Sequence, residues 1–190
     1  MTAKSNGKPL IDPDATVDPD ATVMGDVRVS AGARIMPGAR LVASGGSISI
    51  GRETIVMENA VMRASAAHSC EIGDNCLIGP NAHVVGATLA EQVFVATGAA
   101  IFHGAIIEAG AEIRVHAVVH LRSRLEAGKV VPIGWVAVGD PAELFSPDRH
   151  EEIWARQKPL DFPGFVYGVD RGSPDLMVEV TRKLSALLRG

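Results

Sequence analysis

Aliphatic side chains recur with a period of six residues over most of residues 11–131, a period that neither an α-helix nor a long strand produces. The count slips at SGGS and at ASAAHSC, and one later step is shortened. The word Asp-Pro-Asp-Ala-Thr-Val occurs twice in succession between Asp12 and Val23. The position of its Val is aliphatic in almost every later word, and the position two residues earlier is mostly Ala. A pair of inward residues two positions apart predicts a short strand, followed by a turn and the next word.

Three such words make an 18-residue triangular coil, and stacked coils pair as parallel strands roughly 4.8 Å apart. The words continue to about Val131, which predicts about seven coils, each buried only against its neighbours. This hexapeptide pattern resembles the left-handed parallel β-helix superfamily, from which the handedness is taken. We predict an all-β left-handed parallel β-helix over residues 11–140, after an N-terminal tail of residues 1–10.

Residues 141–190 are predicted to form a C-terminal extension with α-helices. Ser146 followed by Pro147 resembles a helix N-cap and first helical position, and Ser173 with Pro174 repeats the device. The second helix carries an apolar stripe, which predicts that it packs against its own coil or against a neighbouring subunit.

Composition narrows the class of protein without naming a function. The 190 residues are 47% hydrophobic and 21% charged, which predicts a folded domain. The net charge of −4 does not favour binding to nucleic acid or to an anionic membrane. The uncharged run 92–107 is too short to span a bilayer, and the first residues do not resemble a signal peptide. We therefore expect a cytoplasmic protein. Cys70 and Cys76 fall in the inward Ala column, which predicts reduced thiols in the core.

Three phrases carry a closer resemblance: IGDNCLIGPNAHVVGATL, GAAIFHGAIIEAGAEI and VPIGWVAVGDPAEL. Together they resemble the gamma-class carbonic anhydrases and their relatives, and the resemblance extends from Ile11 to about Leu144. It implies a homotrimer, with active sites between adjacent subunits and a terminal helix along the outside.

The residues that hold zinc in that family are replaced in this chain. The three ligand positions are occupied by Arg63, Pro80 and Val85, and the position of a supporting Gln is occupied by Met57. None of the three replacements can bind zinc as a neutral imidazole does. We therefore expect no zinc, no other cofactor and no carbonic anhydrase activity at this place. Arg63, Met57 and Val85 are instead predicted to contact a substrate.

Among the chain's six histidines, the repeat places His103 and His120 on the face that carries Arg63 and Val85. His116 falls on the preceding face. Three interpretations stay open. The histidines are outward polar groups without a special role, or His103 is a catalytic base supported by His120, or His103, His120 and a neighbouring subunit's His116 form a displaced metal site.

The second interpretation follows hexapeptide acyltransferases, which resemble this fold and use an interfacial His beside acyl-CoA. It predicts an acyltransferase or thioesterase acting at the subunit interface, with acyl-CoA or a carrier-bound acyl group as co-substrate. The alternatives are a non-catalytic structural or assembly homologue of gamma carbonic anhydrase, and a metal-dependent hydratase that uses the displaced histidines.

Overall fold

The chain forms a parallel β-solenoid of about seven turns in a computed structural model, which describes residues 7–188. Most coils consist of three short strands, and the strands of the central coils pair in parallel with strands of the coils on both sides. The three strands of a coil belong to three faces of a prism, named here faces 1, 2 and 3. The predicted β-helix of about seven coils is confirmed.

Face 1 is built on β7 (Val61–Ser65), β10 (His83–Val85), β13 (Ala100–Ile101), β16 (Val118–Val119) and β19 (Val136–Val138). Face 2 is built on β1 (Leu10–Ile11), β8 (Cys70–Ile72), β11 (Thr88–Leu89), β14 (Ile106–Ile107) and β17 (Arg124–Leu125). Two longer strands turn the corner and belong to both faces, namely β3 (Thr22–Val29) and β5 (Arg40–Ile50). Face 3 comprises β2 (Thr16–Val17), β4 (Arg34–Ile35), β6 (Ile55–Val56), β9 (Leu77–Ile78), β12 (Phe94–Val95), β15 (Glu112–Ile113) and β18 (Val130–Val131).

The core is the stack of inward side chains that the six-residue period predicts. Ile78, Val95 and Ile113 lie directly above one another on face 3 and are fully buried. Cys70 and Cys76 are free thiols in the same core, which confirms their predicted placement. Every coil covers the apolar surface of its neighbours, so the stack is stabilised mainly by contacts between adjacent coils.

The two ends of the solenoid differ. At the first coil, β1 pairs only with β3, so Ile11 is 44% exposed although it belongs to the inward column. At the other end the strand β20 (Glu143–Phe145) folds back and pairs antiparallel with β19. This change of direction ends the parallel pairing on face 1.

The chain divides into two compact units between Arg149 and His150. The second unit contains α1 (His150–Gln157), a 3-10 turn (Lys158–Leu160), a π-helical turn (Pro163–Tyr167) and α2 (Leu176–Leu188). Among residues 7–188, no helix is long and apolar enough to cross a membrane.

The predicted start of the first helix is wrong. Ser146 accepts a backbone hydrogen bond from Arg149 at 3.0 Å in a turn, and α1 begins only at His150. Ser173 does act at the start of α2, because its hydroxyl accepts a hydrogen bond from Asp175 N at 3.2 Å and donates one to Glu179 at 2.6 Å. The helix itself begins at Leu176, so Pro174 lies in the turn before it.

Candidate functional site

The strand register places His103 as the repeat predicts. Val84, Ile101 and Val119 are consecutive partners on face 1, and His103 follows Ile101 by two residues. It lies where the chain turns from face 1 to face 2, a corner named here the 1–2 corner. The turn is held by a hydrogen bond from Gly104 N to Gly86 O of the preceding coil at 2.7 Å.

His68 meets His103 across Gly86 at this corner. Their rings are in an edge-to-face arrangement, with centroids 5.4 Å apart and an interplanar angle of 74°. A Cβ on Gly86 would lie 2.5 Å from His68 Cβ and 3.3 Å from His103 Cδ2. The backbone of Gly86 also has a φ of +54°, which L side chains rarely adopt. The glycine therefore leaves the space in which the two imidazoles meet.

The environment of His103 keeps its imidazole neutral. Burial, followed by the nearby His68 and His83, lowers the pKa of His103 to about 4. Its Nδ1 is buried and has no hydrogen-bond partner within residues 7–188. A buried polar atom without a partner is uncommon in folded proteins and calls for an explanation.

His120 occupies the same corner in the next coil. Its ring stacks on Phe102, with centroids 5.9 Å apart and an interplanar angle of 29°. Burial lowers the pKa of His120, and its Nδ1 also has no hydrogen-bond partner in the described part of the chain. The loop after His120 is tied to the preceding coil by a hydrogen bond from Arg122 N to His103 O at 3.1 Å.

Two predicted substrate contacts lie beside the histidines on face 1. Val85 is the register partner of Arg63, and both follow the inward pair formed by Val84 and Met62. The Arg63 side chain is exposed and Val85 is half-buried. His83, an outward residue of the same strand as Val85, has its pKa lowered by burial and by the charge of Arg63.

Met57 and His116 lie elsewhere within one chain. Met57 follows β6 at the corner between faces 3 and 1, and exposed His116 turns the same corner in a later coil. His116 has a φ of +56° and packs over Gly98, where an added Cβ would lie 2.4 Å from its Nδ1. The described residues of one chain contain no group of three or more His, Cys, Asp or Glu side chains that could hold a metal. The displaced metal site required a second subunit, so it stays a prediction.

His68 and His83 were not predicted to belong to the site. His68 is followed 18 residues later by Gly86, and Gly104 follows after another 18, so one full coil separates each from the next. That spacing was visible in the sequence and places His68 at the 1–2 corner. Cys70, two residues further on, is excluded as a nucleophile because burial raises the pKa of its thiol to about 12.

Comparisons with known proteins give a fold and no family. No protein-family model and no curated protein matches the chain. A solved hexapeptide transferase family protein from Anaplasma phagocytophilum is 24% identical, with a TM-score of 0.51, over 93% of this chain and 92% of that one. LpxA, a UDP-N-acetylglucosamine acyltransferase from Bacteroides fragilis, is 18% identical, with a TM-score of 0.41, over 92% of this chain and 89% of that one.

The likeness to the Anaplasma protein shows a shared hexapeptide-repeat fold and assigns no activity, because one such fold supports many functions. These matches do not test the resemblance to gamma-class carbonic anhydrases, which stays a prediction. The function therefore has to be argued from the 1–2 corner itself.

Proposed function

We propose that the protein is an acyltransferase that moves an acyl group from a thioester, such as acyl-CoA, to a hydroxyl or amine at the 1–2 corner. The observation that carries the proposal is His103, a neutral, half-buried imidazole that has no hydrogen-bond partner on Nδ1. A neutral imidazole can accept a proton, and acyl transfer to a hydroxyl or amine requires that a proton be removed.

In the proposed step, the acceptor oxygen or nitrogen attacks the thioester carbonyl carbon while its proton passes to His103. A new carbon–oxygen or carbon–nitrogen bond forms, and the carbon–sulfur bond breaks when the tetrahedral intermediate collapses. The leaving thiolate then takes the proton from the imidazolium, which returns His103 to its neutral form. With water as the acceptor, the same sequence of events hydrolyses the thioester.

The low pKa of His103 sets a limit on its strength as a base. A general base is most effective when its pKa lies near the working pH, and about 4 is well below neutrality. Most of the rate increase must then come from holding the acceptor and the thioester in the reactive geometry. One consequence is measurable: the acid limb of kcat/KM should lie near pH 4 instead of near 6.5, because the neutral form persists to that pH.

Assembly around this corner is part of the proposal. Outward side chains are apolar in the central coils of faces 1 and 3, for example Val61 and Val118 on face 1 and Leu77 and Phe94 on face 3. Face 2 has mainly polar outward residues, for example Arg28, Glu71, Thr88 and Arg124. Burial of faces 1 and 3 between subunits of a homotrimer would remove this apolar surface from water and place the 1–2 corner beside an interface.

The same low pKa favours a second candidate, a non-catalytic structural or assembly subunit. An imidazole that is a weak base and lies against another ring also suits a packing role. The two candidates differ in what happens when His103 is removed. In the second candidate the change affects assembly or stability, and no acyl transfer exists to be lost.

The test compares the wild type with His103→Ala, using acetyl-CoA and a panel of small hydroxyl and amine acceptors. The rate of acyl transfer is measured from the release of free thiol. We expect acyl transfer to fall by roughly 10² or more, because general base catalysis commonly contributes a factor of this size. The control is His150→Ala, which changes an exposed residue of α1 and should leave the rate unchanged. Thioester turnover that survives His103→Ala removes this residue as the base. Absence of turnover in the wild type across the panel favours the structural subunit.

A further inference from the structure

Arg63 differs from other arginines that are unpaired in the described part of the solenoid, such as Arg28, because its strand on face 1 pairs with the strand that carries His83. Arg124 donates from Nε to Glu108 at 2.7 Å, and Arg114 pairs with Glu112. Within residues 7–188, the Arg63 side chain has no carboxylate partner and is exposed. A guanidinium offers several donors in a planar fork that matches the oxygens of a carboxylate or a phosphate.

The neighbours of Arg63 add hydrogen-bond donors without adding negative charge. His83 lies on the adjacent strand, close enough for the charge of Arg63 to affect it, and His103 in turn is affected by His83 and His68. The register partners of Arg63 on the two neighbouring strands are Val42 and Val85, so neither position contributes a carboxylate. The surface from Arg63 to the 1–2 corner is therefore suited to an anion and unsuited to a cation.

We propose that Arg63 and His83 bind an anionic group, a carboxylate or a phosphate, of the acceptor that is acylated at His103. The assignment of this anion to the acceptor rests on the proposed function. The assignment of an anion to Arg63 and His83 rests only on their geometry and charge.

The spacing of the coils limits the size of such an acceptor. Arg63 lies two coils before His103, since β7 pairs with β10 and β10 pairs with β13. Two coil spacings are roughly 10 Å, and a guanidinium extends about 6 Å from its backbone. The anionic group then lies several bonds from the hydroxyl or amine that approaches His103. An acceptor with the dimensions of a small hydroxy acid, amino acid or phosphorylated alcohol satisfies this distance.

The experiment measures anion binding without an acyl donor. Inorganic phosphate and sodium acetate are titrated separately at constant ionic strength, and the imidazole Cε1–H signals are followed by NMR. The His83 signal is assigned with His83→Asn. We expect saturable shifts of that signal and at least a tenfold increase in Kd in Arg63→Gln, equivalent to about 1.4 kcal/mol.

The matched control is Arg28→Gln. Arg28 is also exposed and has no carboxylate partner in the described chain, but it lies on face 2. Its substitution should leave the Kd within twofold of the wild type. Linear, non-saturating shifts, or equal weakening in Arg28→Gln and Arg63→Gln, would overturn the inference, because both indicate general attraction of anions.

A competition arm separates the acceptor from the donor. Coenzyme A is added at saturation before phosphate is titrated. Phosphate that still binds with an Arg63-dependent Kd supports an anion subsite for the acceptor. Displacement of phosphate by coenzyme A shows that Arg63 contacts the donor, which overturns the assignment. Since no turnover is measured, a failed acyltransfer assay leaves these binding outcomes interpretable.

Discussion

Acidification provides a direct test of the environment inferred for His103. An exposed imidazole has a pKa near 6.5, whereas burial and the neighbouring His68 and His83 lower the pKa of His103 to about 4. Between these values the unfolded chain binds a proton that the folded chain does not. The free energy of unfolding must therefore decrease as the pH falls through this window.

The size of the decrease follows from the difference between the two pKa values. Each unit of difference in pKa corresponds to about 1.4 kcal/mol of unfolding free energy. Between pH 7 and pH 5 the imidazole becomes protonated in the unfolded chain and stays mostly neutral in the folded chain. His103 alone should reduce the free energy of unfolding by about 2 kcal/mol over this interval. The pKa values of His68, His83 and His120 are also lowered, so their effects have the same sign.

The assay is urea unfolding at pH 7 and pH 5 at a fixed protein concentration, for the wild type and for His103→Gln. Glutamine cannot titrate, so the variant should lose about 2 kcal/mol less than the wild type on acidification. His150→Gln changes an exposed histidine of α1 and should behave as the wild type does. The interval avoids carboxylates such as Glu108, whose pKa is lowered by Arg124. Equal losses in the wild type and His103→Gln would refute the buried, neutral imidazole.

Three further predictions concern the repeat and the assembly. Ile78→Asp should prevent folding because it buries an unpaired charge. Thr16→Asp, at an exposed outward position, should change the free energy of unfolding by less than about 0.5 kcal/mol in urea titrations. Similar behaviour of the two variants would contradict the inward–outward register. Gly86→Ala should lower the free energy of unfolding by about 2–4 kcal/mol through backbone strain and overpacking. Gly110→Ala should lower it by about 1 kcal/mol, because φ is +67° there and an added Cβ meets nothing. Equal losses in the two variants would disprove the contact with His68. Light scattering at micromolar concentration should give three times the mass of one chain, and a monomer would exclude burial of faces 1 and 3.

The solenoid could be predicted from sequence because its structure repeats with its residues. A period of six residues determines which side chains point inward. If one repeat is assigned wrongly, the aliphatic positions of the next repeat restore the register. Ile78 and Val95 are fully buried for this reason, and the count recovers after the irregular loop before Cys70. The C-terminal unit has no such redundancy. One misread N-cap at Ser146 displaced the predicted start of α1, since a Ser-Pro pair also suits a turn.

The candidate site was predicted in part for the same physical reason. The position of His103 follows from Ile101 in the regular repeat, and the register confirms it. The partner His68 lies in an insertion where the count slips, so a six-residue template does not reach it. A step of 18 residues does, since it leads from His68 to Gly86 and then to Gly104.

Gly86, in the middle coil, provides the space in which the two imidazoles of the candidate site meet. Along the 1–2 corner, side chains from adjacent coils are about 4.8 Å apart, too close for two imidazoles to lie on either side of a third large side chain. Gly86 removes that third side chain, so His68 and His103 approach each other across a coil that contributes only backbone. The same absence leaves His103 half-buried instead of fully covered, as its proposed role as a base requires. The six-residue count is broken in the loop that carries His68, and this loop directly follows β7, the strand that carries Arg63.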